Sequence, residues 1–189
     1  MIVEIVDRDL EHKLRGLVDR DEIWSLLLRF ARGLDRMDRE LVRSCYWDDA
    51  IEDHYSFIGG PDAFLDWVFR YTVSTNTVQH HLLSNHLCEL DGDNAHAETY
   101  FTFIASNIQP PHVLSMGRYV DHFQRRGGIW KIANRVTMVE KNFDLHQSVD
   151  DAVLRDERNT CGPLLPARRD RNDFSYQRPI VPRRPPAPK

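Results

Sequence analysis

Apolar positions recur at helical spacing over residues 8–37. Ile23, Leu26, Leu27, Phe30, Ala31 and Leu34 fall on one stripe and predict a long amphipathic helix. Asp19 or Asp21 is placed to cap a second segment within it. Residues 39–45 continue as a short helix, and Ala50–Phe57 reads as extended. Gly59-Gly60-Pro61 breaks the chain and starts another helix over Asp62–Tyr71, with Pro61 suited to a first turn. After Thr77 the period falls from helical to alternating. Residues 78–90, 95–107, 113–125 and 129–141 form long strand candidates, with turns at Asp91-Gly92-Asp93-Asn94 and Arg126-Gly127-Gly128. Helices followed by an antiparallel meander predict an α+β fold, with the helices packed on one face of a curved sheet.

Residues 148–189 break this pattern. They hold seven of the ten prolines and eight arginines, with little periodicity. The expected division is a domain over 1–147 and a Pro/Arg-rich carboxy-terminal arm over 148–189. The arm keeps Val153, Leu154, Leu164, Leu165, Phe174, Tyr176, Ile180 and Val181, more apolar surface than a solvating tail needs. It is expected to dock on a neighbouring subunit, with its own subunit as the alternative.

Composition narrows the function classes. Hydrophobic residues make up 41%, enough for a core, and a formal net charge of −4 offers no basic excess to nucleic acid or to an anionic membrane. Cys45, Cys88 and Cys161 are odd in number and lack CxxC spacing, which argues against a disulfide framework or a thiolate zinc site. The opening MIVEIVDRDLEHK is acidic and too short in apolar run for a signal peptide, and no stretch approaches the roughly 20 apolar residues of a membrane span. A cytoplasmic location is expected.

Candidate chemistry gathers at a few positions. Asp35 closes an apolar helix and shares a stripe with Ala31 and Leu28, so it can face inward; a carboxylate in a last turn is otherwise solvated. In Gln79-His80-His81-Leu82-Leu83-Ser84-Asn85-His86, strict alternation sets His81 and Asn85 on one strand face and His80 and His86 on the other. Two ligands on a face do not make a zinc or iron site, so no metal is expected. Arg135 shares a face with Ala133 and Thr137, opposite Trp130 and Ile132, and can bind a substrate oxygen; a surface salt bridge is the plainer alternative. His54 is a further candidate. No nucleotide-binding glycine loop is present.

Gly33-Leu34-Asp35, Tyr46-Trp47-Asp48-Asp49-Ala50, Gly59-Gly60-Pro61, His81-Leu82-Leu83-Ser84-Asn85, Asp91-Gly92-Asp93, Gly117-Arg118-Tyr119 and Gly128-Ile129-Trp130-Lys131-Ile132 occur in this order. Together, over about residues 10–141, they resemble the SnoaL-like branch of the nuclear transport factor 2-like superfamily. The resemblance implies a cone-shaped α+β barrel whose curved, mostly antiparallel sheet encloses an apolar pocket. The branch includes hexachlorocyclohexane dehydrochlorinase, bile acid dehydratase, scytalone dehydratase and lignin diarylpropane lyase, several of which use an Asp–His dyad without a cofactor. By resemblance to the dehydrochlorinase, Asp35 takes the place of the dyad aspartate, His81 that of the histidine, followed by Asn85, and Arg135 falls on an active-site arginine. Phe30 stands where such enzymes often carry Lys or Tyr.

The implied function is a cofactor-independent lyase, of dehydratase or retro-aldol, deformylating type, acting on a small hydrophobic aromatic or steroid-like alcohol. His81 would be the base, Asp35 its orienting partner, and Arg135 a stabiliser of a developing oxyanion. Phe30, Trp47, His54, Tyr55, Trp67, Asn85, Tyr100 and Phe101 are the expected substrate-binding residues, with Tyr55, His54 or Tyr100 as the acid. Proteins of this kind often form homodimers or homotrimers through the sheet, and the same is expected here. The rival readings are a non-catalytic small-molecule binding module and the small subunit of a ring-hydroxylating dioxygenase.

Overall fold

The computed structural model describes residues 8–146 and 167–180. Residues 1–7, 147–166 and 181–189 lie outside the described residues, among them Cys161 and the arm's Val153, Leu154, Leu164, Leu165 and Val181. Helix α1 (Arg8–Asp35) buries Ile23, Leu26, Leu27, Phe30 and Leu34, as its apolar stripe predicts. Leu28, expected beside Asp35, is instead 46% exposed. Helix α2 (Arg39–Arg43) folds back on the end of α1. A β-carbon on Gly33 would stand 2.5 Å from Val42 Cγ2, so this close approach needs glycine. Asp38 caps α2 by accepting the Leu41 N–H at 3.1 Å. The corner ends α1 at Asp35 with that residue buried.

The expected extended stretch over Ala50–Phe57 is a short hairpin, β1 (Tyr46–His54) and β2 (Phe57–Gly59), turned at Tyr55 with a φ of 58°. Helix α3 (Pro61–Thr75) follows, with Pro61 at its start. Strands β3 (Asn76–Asp91), β4 (Asn94–Asn107), β5 (His112–Arg126) and β6 (Ile129–Leu145) form the meander. The sheet order is β2-β1-β6-β5-β4-β3, antiparallel except for the β1–β6 pair. The fold is α+β, with the helices packed on one face of a curved, unclosed six-stranded sheet.

Two bulges overturn the expected strand faces. In β3, Leu83 pairs with Phe101 and His86 with Thr99, so Ser84 and Asn85 together span the step past Tyr100. His86 therefore returns to the inner face with His81, where it bonds Thr99 Oγ1 at 2.8 Å, and Asn85 is exposed. In β6, His122 pairs with Asn134 and Phe123 with Ile132, leaving Ala133 as the extra residue. Trp130 and Ile132 consequently share the buried side with Arg135 and Thr137 rather than opposing them.

The described part of the arm, residues 167–180, lies against the α1–α2 corner of its own chain. Arg171 Nη2 reaches Asp38 at 3.0 Å and Glu40 at 2.7 Å, and the Tyr176 hydroxyl donates to Asp38 at 3.0 Å. Arg32 covers the Tyr176 ring at 4.5 Å, and Arg169 Nη1 donates to the Asn76 carbonyl at 2.6 Å.

Candidate active site

Helices α1 and α3 and the inner sheet face enclose a cavity of about 470 Å³. Its walls are Leu34 from α1, Trp67, Val68 and Tyr71 from α3, Phe101 and Phe103 from β4, Tyr119 from β5, and Val139 and Phe143 from β6. Mostly apolar walls with a few polar groups suit a small organic ligand. The polar groups include His81, Gln79, Asn76, His54 and Thr137.

His81 stands in this wall with Asp35 against it. Asp35 Oδ1 stands 2.7 Å from His81 Nδ1, and Oδ2 accepts the His81 backbone N–H at 3.1 Å. An ionised carboxylate only accepts, so the imidazole proton belongs on Nδ1 and Nε2 carries the free lone pair. Gln79 stitches the two elements together. Its amide donates to the Leu34 carbonyl at 2.9 Å and accepts from Asn76 at 3.0 Å, holding β3 to the end of α1. His81 packs beside Phe103, with ring centroids 4.9 Å apart.

A second histidine faces the cavity from β1. His54 Nδ1 is 2.9 Å from Glu52 Oε1 and 3.1 Å from Thr137 Oγ1. Glu52 is fully buried and also accepts from the Tyr46 hydroxyl at 2.6 Å. Burial, together with Glu52, pushes the Tyr46 hydroxyl well above its usual range.

Arg135 is placed differently from its expected role. Its side chain is fully buried, sandwiched between the Phe30 and Tyr119 rings at 4.1 and 4.2 Å. Its Nε and Nη2 donate to Asp121 at 2.6 and 2.9 Å. It does not line the cavity, so the expected direct contact with a substrate oxygen is not available in this geometry. Asp121 holds the guanidinium charged although burial opposes it, and burial raises the Asp121 carboxyl in turn. Tyr119 covers this ion pair on the cavity side, stacked on Phe101 with centroids 4.6 Å apart, and burial drives its hydroxyl well above the usual range.

Among the other expected binding residues, Tyr55, Trp67 and Phe101 line the cavity. Four do not. Phe30 is core, edge-on to Tyr46 and Tyr119. Trp47 lies under Arg126 and Lys131 at 5.0 Å and donates to the Gln124 carbonyl, away from the cavity. Asn85 is turned out by the β3 bulge. Tyr100 alternates with inward Phe101 and so stands on the outer face beneath Arg118. The reading from sequence missed Glu52, Asp121 and Tyr119. The period-two run Gly117, Tyr119, Asp121, Phe123 carried the signal for the last two. Cys45 and Cys88 are buried free thiols. Among the described residues, no three His, Cys, Asp or Glu side chains gather as a metal site, and no helix is long and apolar enough to cross a membrane.

A family model described as the SnoaL-like domain matches residues 15–136. No curated protein matches by sequence. Among solved structures, the hexachlorocyclohexane dehydrochlorinase LinA-type3 from Novosphingobium barchaimii LL02 is 21% identical, with 70% of this chain and 94% of that one covered at a TM-score of 0.66. A scytalone dehydratase-like protein from Novosphingobium aromaticivorans DSM 12444 is 19% identical over 70% and 91% of the chains, at 0.63. A protein with a cystatin-like fold from Nostoc punctiforme PCC 73102 is 20% identical over 65% and 92%, at 0.57. At such identities the likeness establishes the fold.

Proposed function

Since the chain belongs to the SnoaL-like domain family, we propose that it is a cofactor-independent lyase acting on a hydrophobic aromatic or steroid-like alcohol, in the breakdown of aromatic compounds. The observation that carries this reading is the 2.7 Å contact between Asp35 Oδ1 and His81 Nδ1, with His81 in the wall of an apolar cavity. His81 Nε2 removes a proton from carbon or oxygen of the substrate. Asp35 holds the productive tautomer and balances the imidazolium that forms, as the carboxylate of a catalytic triad does. The same base serves two outcomes. Proton removal from carbon leads to loss of water, and proton removal from a hydroxyl leads to carbon–carbon cleavage with release of an aldehyde.

The cavity lining supports an apolar substrate. Among the described residues, no lysine or arginine lines it, so a phosphate or carboxylate group would find no lysine or arginine to pair with there. The buried thiols Cys45 and Cys88 fit a reduced, cytoplasmic setting.

The test is to incubate the full-length protein with a panel of aromatic, steroid and terpenoid alcohols, following products by mass. A product lighter by one water or one small aldehyde, absent with His81→Ala, supports the lyase. A ligand that binds tightly and is recovered unchanged by the wild type sinks it in favour of a binding module.

A further inference from the structure

We propose that Glu52 and His54 form a second imidazole–carboxylate pair in the same cavity, and that His54 delivers the proton to the departing oxygen. The proposal rests on the lyase reading above and deepens it, because dehydration needs a proton given as well as one removed.

The two histidines are held alike. Each has its Nδ1 against a buried carboxylate, His81 on Asp35 at 2.7 Å and His54 on Glu52 at 2.9 Å, and each lines the cavity. They come from strands far apart in the sheet, because β6, β5 and β4 separate β1 from β3. Both imidazoles line the one cavity, so a ligand that fills it can meet both. The groups facing the His54 ring are few. Glu52 comes from its own strand, Thr137 from β6, and the Phe64 and Trp67 rings from α3 with centroids at 5.2 and 5.7 Å. Glu52 is the titratable group among them. Among the described residues nothing bonds His54 Nε2, which leaves it for a ligand.

Glu52 argues that this pair is built for a charge. A fully buried carboxylate is costly unless several donors hold it. Here Tyr46 donates at 2.6 Å and Thr137 at 3.3 Å, besides the imidazole. An apolar residue at position 52 would fill the space without that desolvation. A carboxylate there instead holds the ring through Nδ1 and can balance the charged ring that the step requires.

The step balances. His81 Nε2 takes the proton from the carbon beside the activating group, and that bonding pair becomes the new double bond. The carbon–oxygen bond breaks with its pair on oxygen, His54 Nε2–H protonates that oxygen, and water leaves. His81 is then the imidazolium and His54 the neutral ring, and solvent returns both to the starting state.

The test uses the full-length protein with a benzylic β-hydroxy ketone and its β-chloro counterpart, whose leaving chloride needs no proton. His54→Gln keeps an N–H donor for Glu52 but cannot transfer a proton. It is expected to lower the ratio of hydroxy to chloro elimination by roughly 10²–10⁴-fold. Glu52→Gln should lower the ratio in the same direction with the fold retained by circular dichroism, while His81→Ala stops both reactions. An unchanged ratio in His54→Gln overturns the proposal. If the wild type eliminates neither ketone, the lyase reading loses support, and a nitrogen NMR spectrum of the full chain with para-nitrophenol decides this one. The expected result is a proton on His54 Nδ1 and a His54 Nε2 signal moved by the phenol. A His54 that fails to respond, with the phenol bound, overturns the second pair.

Discussion

Asp35 holds His81 at two points, the backbone N–H through Oδ2 at 3.1 Å and the ring Nδ1 through Oδ1 at 2.7 Å. The carboxylate therefore fixes the strand and the ring together. Asp35→Asn keeps the shape but supplies an amide that can donate to Nδ1, which turns the proton to Nε2 and leaves no base toward the cavity. The expected loss in kcat is about 10⁴-fold, the cost of a wrong tautomer in a triad. Steady-state kinetics on any substrate the panel reveals checks this. A variant within tenfold of wild type, as a rough bound on that scale, would remove Asp35 from the mechanism.

Arg135 and Asp121 predict stability. Both side chains are fully buried and joined by hydrogen bonds of 2.6 and 2.9 Å. Asp121→Ala leaves a guanidinium between Phe30 and Tyr119 without its hydrogen-bonded counter-charge, and should destabilise the fold by about 3–5 kcal/mol. Replacing both, as Asp121→Leu with Arg135→Met, should recover most of that loss. Urea unfolding of the wild type and the two variants measures this. Equal stability of the single and double variants would mean that the pair is not coupled.

Alkaline pH provides another readout. Burial raises the Tyr46 and Tyr119 hydroxyls well above the ordinary tyrosine value of 10.0. The folded state thus holds these protons where the unfolded chain releases them. Their contribution to stability is complete below pH 10 and is lost as pH rises above it. Ultraviolet titration should show two tyrosines that ionise only as the protein unfolds, and Tyr119→Phe should remove one of them. Six tyrosines that titrate together while the fold persists would contradict the burial.

The order of elements was legible because each segment carries a clean period, down to Pro61 at the start of α3 and the turns at Gly92 and Gly127-Gly128. The Asp35–His81 contact was legible only through resemblance, since a carboxylate in a last helical turn carries no sign of its partner. Strict alternation misplaced Asn85, His86, Trp130 and Ile132, because a bulge costs one residue of register and leaves no mark in a single sequence. Tyr100 and Phe101 could not both face inward on a regular strand. Glu52 escaped notice because a charged residue in a strand reads as exposed until its buried donors are known.

The arm supplies the last prediction. The expectation favoured a neighbouring subunit, yet residues 167–180 lie on the chain's own α1–α2 corner, beside the turn that ends α1 at Asp35. Asp173 organises this segment. Its carboxylate accepts the backbone N–H of Ser175 at 3.0 Å and of Arg168 at 2.8 Å, and lies 3.6 Å from Arg36. Hydrogen bonds with Ser175 and Arg168 hold its carboxyl down to about 2, from an ordinary 3.8. A depressed carboxyl stabilises the docked state above the unfolded value and loses that contribution as pH falls through the folded one. Docking should therefore weaken between about pH 4 and pH 2, and the Ser175 amide signal in an NMR titration should move over that interval. Asp173→Asn should loosen the segment at neutral pH. Docking within one chain does not depend on protein concentration, so the Ser175 signal should be the same in dilute and concentrated samples. A docked fraction that rises with concentration, or a solution mass that falls when the chain is cut after Val149, would show that the arm belongs to a neighbour after all.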